Sequence, residues 1–486
     1  MKKFNSTLVI INCLVLMLIS FNAFAQVGIG TLSPDASSML DVSSTSKGML
    51  TPRMTSAQRL AISSPANGLL VYDTTESVFY FYNSSQWEKI DSTTRNNFKL
   101  VKTVADLSDE LTSGGGTTYL LDENTLYQIN GTINLAYPID LNNAVVLGLD
   151  TYEDVLVKAG GSMFSGTTGG LIKNVTLAAP GGSVFSLNGT TSDNLILRDA
   201  VIANSNAVGS ISGFNMVFMS VVQFANNTTG ITFTDITELL MSNTGWQSNN
   251  SGVYETYTGS FNFIQKQGGF MLLDGSAVGI DVSSNPTVSD AVLSGVSFSG
   301  TSTQYVDGYT TGSYAGYNFN NSWNVNCPGI PVESDVVSGG NIYYDGAITT
   351  GFVQTITNNS ALNLSGNSNS NSTTLVNALR TMSTQDNRIT YTGKKTRTFQ
   401  VNAALSIRGN SGVGDYYAFF IRKNGTDTLT ETNTLMRVNN TSDISSNAIS
   451  GTVELAPNDY IEIWGQRLIG SGSTSITVFS LNLSIK

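Results

Sequence analysis

The sequence predicts an all-β chain: a parallel β-solenoid followed by an antiparallel β-sandwich, with a small β-rich stem in front. Three observations predict it. First, six short apolar phrases stack between residues 170 and 300: LIKNVTL (171–177), LILRDAVI (195–202), MVFMSVV (216–222), LLMSNT (239–244), MLLDGSAV (271–278) and VLSGVSF (292–298). Each reads as two short strands around a small central residue, namely Asn174, Asp199, Ser220, Asn243, Asp274 and Gly295, spaced 25, 21, 23, 31 and 21 residues apart. A strand-and-corner repeat of this length is a solenoid signature. Second, only 12% of the 486 residues are charged, and Ser, Thr, Asn and Gly supply the remaining polarity, a mixture that suits strands and tight turns. Third, residues 336–486 carry alternating strands between turns, the pattern of a sandwich.

In chain order, residues 1–25 read as a secretory signal. Lys2 and Lys3 open it, Leu8 to Ile19 form the apolar stretch, and Ala23-Phe24-Ala25 is an A-x-A site with cleavage expected after Ala25. That apolar run is too short to span a bilayer stably, so no membrane span is expected after cleavage. Residues 26–95 form the stem. Thr55 to Gln58 fits a capping box opening a short helix to Ile62. Residues 69–72 and 78–82 read as paired strands, with a turn from Asn83 before Trp87. So few apolar residues make a poor core, and copies of the segment are expected to complete it.

Residues 96–335 form the solenoid shaft. Asp106-Leu107 and Asp109-Glu110-Leu111 mark a helical patch that caps the first coil. Strands are expected at 118–121, 125–129 and 132–135. The six phrases then stack as six coils, about 30 Å at roughly 4.8 Å per coil. The 31-residue gap between Asn243 and Asp274 requires an insertion, which would hold Trp246, Tyr254, Tyr257 and Phe261. An aromatic loop from Tyr305 to Trp323 ends the shaft. In the tip, residues 336–486, strands are expected at 352–356, 388–391, 398–407, 416–421, 451–455, 460–464 and 475–479.

Two sets of phrases carry a resemblance. VGIGT, SPDAS, LDVSS, KGMLTPRMT, PANGLLVYDT and FYFYN followed by Trp87 resemble the N-terminal stem of phage-type tail-fibre and tailspike proteins. RITYTG, RTFQVNAALSI, YAFFIRKNGT, VELAPNDYIEIW and ITVFSLNLSI resemble the jelly-roll tips of trimeric fibres, similar to the C1q and tumour-necrosis-factor fold. The resemblance implies a right-handed parallel, pectate-lyase-like β-helix ending in a jelly roll, a homotrimer, and an extracellular, cell-surface or virion-associated location.

Composition excludes much chemistry. With no histidine there is no Ser-His-Asp or Cys-His catalysis and no His-ligated metal. Cys13 lies in the presumed signal, which leaves Cys327 as a buried small hydrophobe with no partner for an intrachain disulfide. A net charge of -11 without a basic stripe argues against nucleic acid. Acidic turns at 122–124 and 150–154 follow no calcium-loop pattern, so no metal or cofactor is expected.

Tailspikes of this type that cleave polysaccharides use paired carboxylates, and the best pair here is Asp235 with Glu238. Most acidic residues of the ladder are better read as corners or solvated side chains. Sugar binding draws on aromatic faces, and Trp246, Tyr254, Tyr257, Tyr305, Tyr309, Tyr314, Tyr317 and Trp323 are the candidates. Packing within the shaft or between subunits is the competing role for these rings. The expected function is a non-enzymatic trimeric fibre that attaches to surface polysaccharide or a protein receptor. A polysaccharide-degrading tailspike and a purely structural spacer are the alternatives.

Overall fold

The computed structural model describes residues 9–11, 13–14, 26–90, 96–366 and 372–486. The charged start and the A-x-A site of the presumed signal lie outside the described residues. Among those described, no helix is long and apolar enough to cross a membrane. The chain forms two compact units, Met1–Asn96 and Asn97–Lys486.

In the first unit, Val27–Ile29 pairs in parallel with Leu40–Val42. A separate four-stranded sheet runs Arg53–Met54, Leu70–Asp73, Val78–Tyr82 and Trp87–Ile90. The capping box forms as expected, and the helix Ser56–Leu60 ends two residues before Ile62. Arg59 is the anchor of this unit. Its Nε donates to Asp73 at 2.9 Å and its guanidinium lies 3.6 Å from the centre of the Tyr80 ring. Burial pushes the Asp73 carboxyl upward, but bonds from Arg59, Ser56 and the backbone of Glu76 and Thr75 outweigh it and lower its pKa to about 2.

The second unit opens with a parallel solenoid. One sheet has fourteen strands, ten of which stack in chain order, from Phe98–Val101 through Asn194–Ala203, Met216–Ala225, Glu238–Trp246 and Ser260–Leu272 to Trp323–Asn326. A second sheet stacks nine, from Tyr119–Leu120 to Val306–Asp307. The stack begins well before residue 170, so its ten rungs at the same roughly 4.8 Å per coil make it about 48 Å tall, not 30. The expected cap is present: Leu107 and Glu110 of the helical patch are buried, and Glu110 takes Lys99 Nζ at 2.7 Å.

Left-handed backbone angles mark the corners of the first sheet at Asn174, Asp199, Val221, Asn243, Gly268 and Gly295, spaced 25, 22, 22, 25 and 27 residues apart. This corrects the ladder in two places. The corner is Val221 and not Ser220. The rung after Asn243 turns at Gly268, while Asp274 sits at another corner, where its Oδ1 accepts the Thr301 amide at 2.9 Å. The repeat is therefore regular, and there is no insertion. The residue after the Gly268 corner must be glycine: Gly269 has a φ of +86° and a Cβ there would lie 2.1 Å from the Thr244 carbonyl oxygen.

Inside, apolar columns stack rung on rung, as with Phe164 on Phe185 at 5.8 Å. Buried amides climb beside them. Asn227 Oδ1 accepts the Ser205 amide at 3.1 Å, and Asn250 Oδ1 accepts the Asn227 amide at 2.8 Å. The buried Ser205 and Asn227 amides are thereby satisfied by the next coil, which is what burial demands.

The sandwich packs two six-stranded sheets, antiparallel throughout, around one apolar core that includes Phe399, Leu405, Phe419, Ile463 and Leu483. It is held firmly to the end of the solenoid. Arg380, 3% exposed, donates to Asp335 and to the carbonyls of Trp323 and Glu333. Arg397 Nη1 donates to the Asp335 and Ser338 carbonyls at 2.7 and 2.9 Å. Lys394 reaches back to Asp290, and Asn321 Nδ2 donates to the Thr392 carbonyl at 2.8 Å.

Candidate functional site

The rings expected to bind a ligand are placed mainly in the core, because no insertion lifts them out. Val253–Thr258 is a strand of the second sheet, and its Tyr254, Glu255 and Tyr257 are all buried. Trp246 is fully buried and stacks on Tyr254 with centroids 4.4 Å apart. Tyr257 is buried and donates to Glu255 Oε2 at 2.8 Å. Trp323 is buried and donates from Nε1 to the Tyr309 hydroxyl at 3.0 Å, while Tyr309 itself donates to the Pro286 carbonyl. These five cannot stack on a sugar. Tyr305, Tyr314 and Tyr317 are half-buried; Tyr305 bonds the Gly300 carbonyl, and Tyr314 bridges Asn321 and Thr392 at the joint with the sandwich.

The carboxylate pair fares no better. Asp235 is exposed at a left-handed corner with φ 51°, and its Oδ1 accepts the Ser260 amide of the next coil at 2.9 Å. That is a turn-building role. Glu238 begins the following strand, exposed.

A groove elsewhere on the solenoid brings ligand-type groups together. Leu149, Asp150, Thr151, Asn174, Asp199 and Gln223, with Ala200, Val201 and Val221, enclose 470 Å³. The corner column forms its floor. Its overhang is the loop after Val145–Leu147, where Tyr152 is 94% exposed and Leu149 69%. Asp154 shapes this overhang. Its Oδ2 accepts the amides of Leu149 and Asp150 at 2.6 and 3.1 Å, and its Oδ1 accepts that of Gly131 at 2.9 Å. Burial pushes the Asp154 carboxyl up, but the three amides win and hold it below the ordinary aspartate range. Thr176 Oγ1 ties the loop down through the Thr151 carbonyl at 2.7 Å. Asp199 faces Lys173 across 3.9 Å.

Sequence reasoning passed over this groove because its polar residues read as turns and corners. The available signal was Tyr152, the sole aromatic between acidic turn residues. By contrast, the end of the sandwich away from the solenoid, loops 410–415, 438–444 and 470–472, exposes aliphatic Val413 and Ile444 and holds no ring. Among the described residues no cluster of His, Cys, Asp or Glu has the arrangement of a metal site.

Comparison with known proteins decides the character of the stem. Residues 28–103 match the family of phage tail like trimerisation regions. The resemblance of the stem to phage tail fibres and tailspikes therefore stands on a family match. None of the curated proteins matches the chain. Solved structures that align with it include the tailspike protein of Acinetobacter baumannii phage AM24, at 9% identity over 86% of this chain and 91% of that one, with a TM-score of 0.22. The Eiger TNF of S. frugiperda aligns at 10% identity over 30% of this chain and 91% of its own, with a TM-score of 0.21. The PRD1 vertex protein P5 aligns at 13% over 31% and 96%, with a TM-score of 0.19. Scores this low carry no argument about function.

Proposed function

We propose that this chain is the subunit of a homotrimeric surface fibre, exported or carried on a virion, that attaches to cell-surface glycans through the solenoid groove. The match of residues 28–103 to a trimerisation region carries the reading, since it lies in one chain with a solenoid and a sandwich. The groove supports glycan as the ligand. Asn174, Thr151 and Gln223 line the groove and offer amides and a hydroxyl for sugar hydroxyl groups. Tyr152, which does not line it but follows Thr151 in the loop, offers an exposed ring face. A single weak site near 1 mM is worth about 4 kcal/mol. Three sites on one particle raise retention by orders of magnitude without new contacts. Trimerisation and weak glycan binding thus support one another.

The test is retention on immobilised surface polysaccharides or a glycan array. Wild type should be retained and Tyr152→Ala should lose at least tenfold; a wild-type protein that holds no glycan refutes the reading. A second reading rests on Asp150 and Asp199 lining the same groove. Two carboxylates on a bound glycan are the equipment for glycoside cleavage. New reducing ends that vanish in Asp199→Asn would favour it, and their absence with wild type would exclude it.

A further inference from the structure

The stem cannot bury its own apolar side chains. Among the described residues of the first unit, Val71 and Tyr80 are the buried hydrophobics. Far more of its large apolar side chains stand in solvent, including Leu32, Met39, Met49 and Leu50. Two patches of different form stand out among the exposed apolar side chains of the unit. One is a groove of 260 Å³ lined by Met49, Leu50, Thr51, Arg53, Tyr72 and Phe79. Tyr72 and Phe79 meet edge to face at 5.1 Å to make its wall, and Leu50 is 81% exposed at its lip. The Thr51 hydroxyl is buried there without a hydrogen-bond partner. The other patch is the two-stranded ribbon Val27–Ile29 and Leu40–Val42, whose Val27, Ile29, Leu40 and Val42 are each 42–56% exposed.

Three copies around a threefold axis meet through heterologous contacts, in which one patch of a subunit joins a different patch of the next. The stem offers one concave apolar patch and one exposed apolar ribbon, and all but Val27 of both lie within the matched trimerisation region. We propose that the Met49–Leu50–Tyr72–Phe79 groove of each subunit receives the Val27–Val42 ribbon of its neighbour, and that this exchange is the core of the trimer. The ribbon supplies aliphatic side chains for the groove. Its open strand edges supply backbone groups for the unpaired Thr51 hydroxyl. The inference rests on the trimeric reading above and assigns the surfaces that reading leaves open.

Cysteine cross-linking of the full chain tests it, in a Cys13→Ser background where the remaining Cys327 is 4% exposed. Leu50→Cys is combined in turn with Val27→Cys, Ile29→Cys, Leu40→Cys and Val42→Cys. At least one double variant should convert on oxidation to a covalent trimer, while each single variant stays uncross-linked. Leu50→Asp should raise the concentration for half-dissociation at least tenfold. Trimers that form but never cross-link in any double variant overturn the groove assignment alone. Covalent dimers from Leu50→Cys by itself also overturn it, since the groove would then face the axis. A monomeric wild type removes both the assignment and the trimer.

Discussion

Val221 is the most unusual residue of the corner column. Its φ of 55° places a β-branched side chain where the other corners have Asn, Asp or Gly, and it is 45% exposed on the groove floor. Left-handed backbone costs an L-residue about 1–2 kcal/mol, and more for a β-branched one. Val221→Asn should therefore raise thermal stability by about 1 kcal/mol, and a loss of stability in the melting curve would show that Val221 packing outweighs the strain. Asp154 acts in the opposite sense. Its folded pKa is depressed, so its contribution is present in full above the unfolded value near 3.8 and is lost as pH falls through the lower folded value. Asp154→Ala should cost about 2 kcal/mol at neutral pH, by stranding three amides. The difference from wild type should narrow as pH falls below the unfolded value near 3.8, as measured by denaturation across pH.

At the scale of elements, the coil from Glu238 to Leu272 holds charge inside a solenoid. Lys266 and Glu255 are each 1% exposed and pair at 2.8 Å, with Thr244 accepting from Lys266 at 2.6 Å and Tyr257 donating to Glu255. Removing one partner strands the other ion, a loss of about 3–5 kcal/mol. Chemical denaturation should show that loss for Lys266→Met, and recovery of most of it in Lys266→Met with Glu255→Met. Equal loss in both variants would mean that the pair contributes through packing and not charge.

The same coil explains what was legible in the sequence and what was not. Asn174, Asp199 and Asn243 announced their corners because Asn and Asp tolerate left-handed angles and cap their own turns. Val221 gave no such signal. Gly268 was hidden because Lys266 and Glu255 occupy inward positions, so this coil lacks the apolar alternation of its neighbours. MLLDGSAV then passed for a rung, and the false gap turned core rings into an exposed loop. Tyr and Trp read alike in a core and in a sugar site. What separates them is burial by the neighbouring coils, which is a property of the fold: Tyr257 and Trp323 find Glu255 and Tyr309 there, while Trp246 and Tyr254 are buried with their polar atoms unpartnered. In the sandwich, strict alternation over Arg397–Gly409 marks one buried face and was legible. The strand Ser445–Leu455 was legible only from 451, and Gly339–Tyr344, Thr373–Leu379 and Asp427–Arg437 were not, the last because its side chains are mostly polar and exposed.

At the scale of the molecule, the stem has too little core to stand alone, while the solenoid and sandwich carry large cores and are locked together through Arg380, Arg397 and Asp335. Assembly should therefore depend on residues 26–90, and folding of the second unit should not. The most direct test of the trimeric fibre is the mass of the purified protein in solution by light scattering across a hundredfold range of concentration. The account predicts a particle of three chains throughout that range. A stable monomer would contradict it.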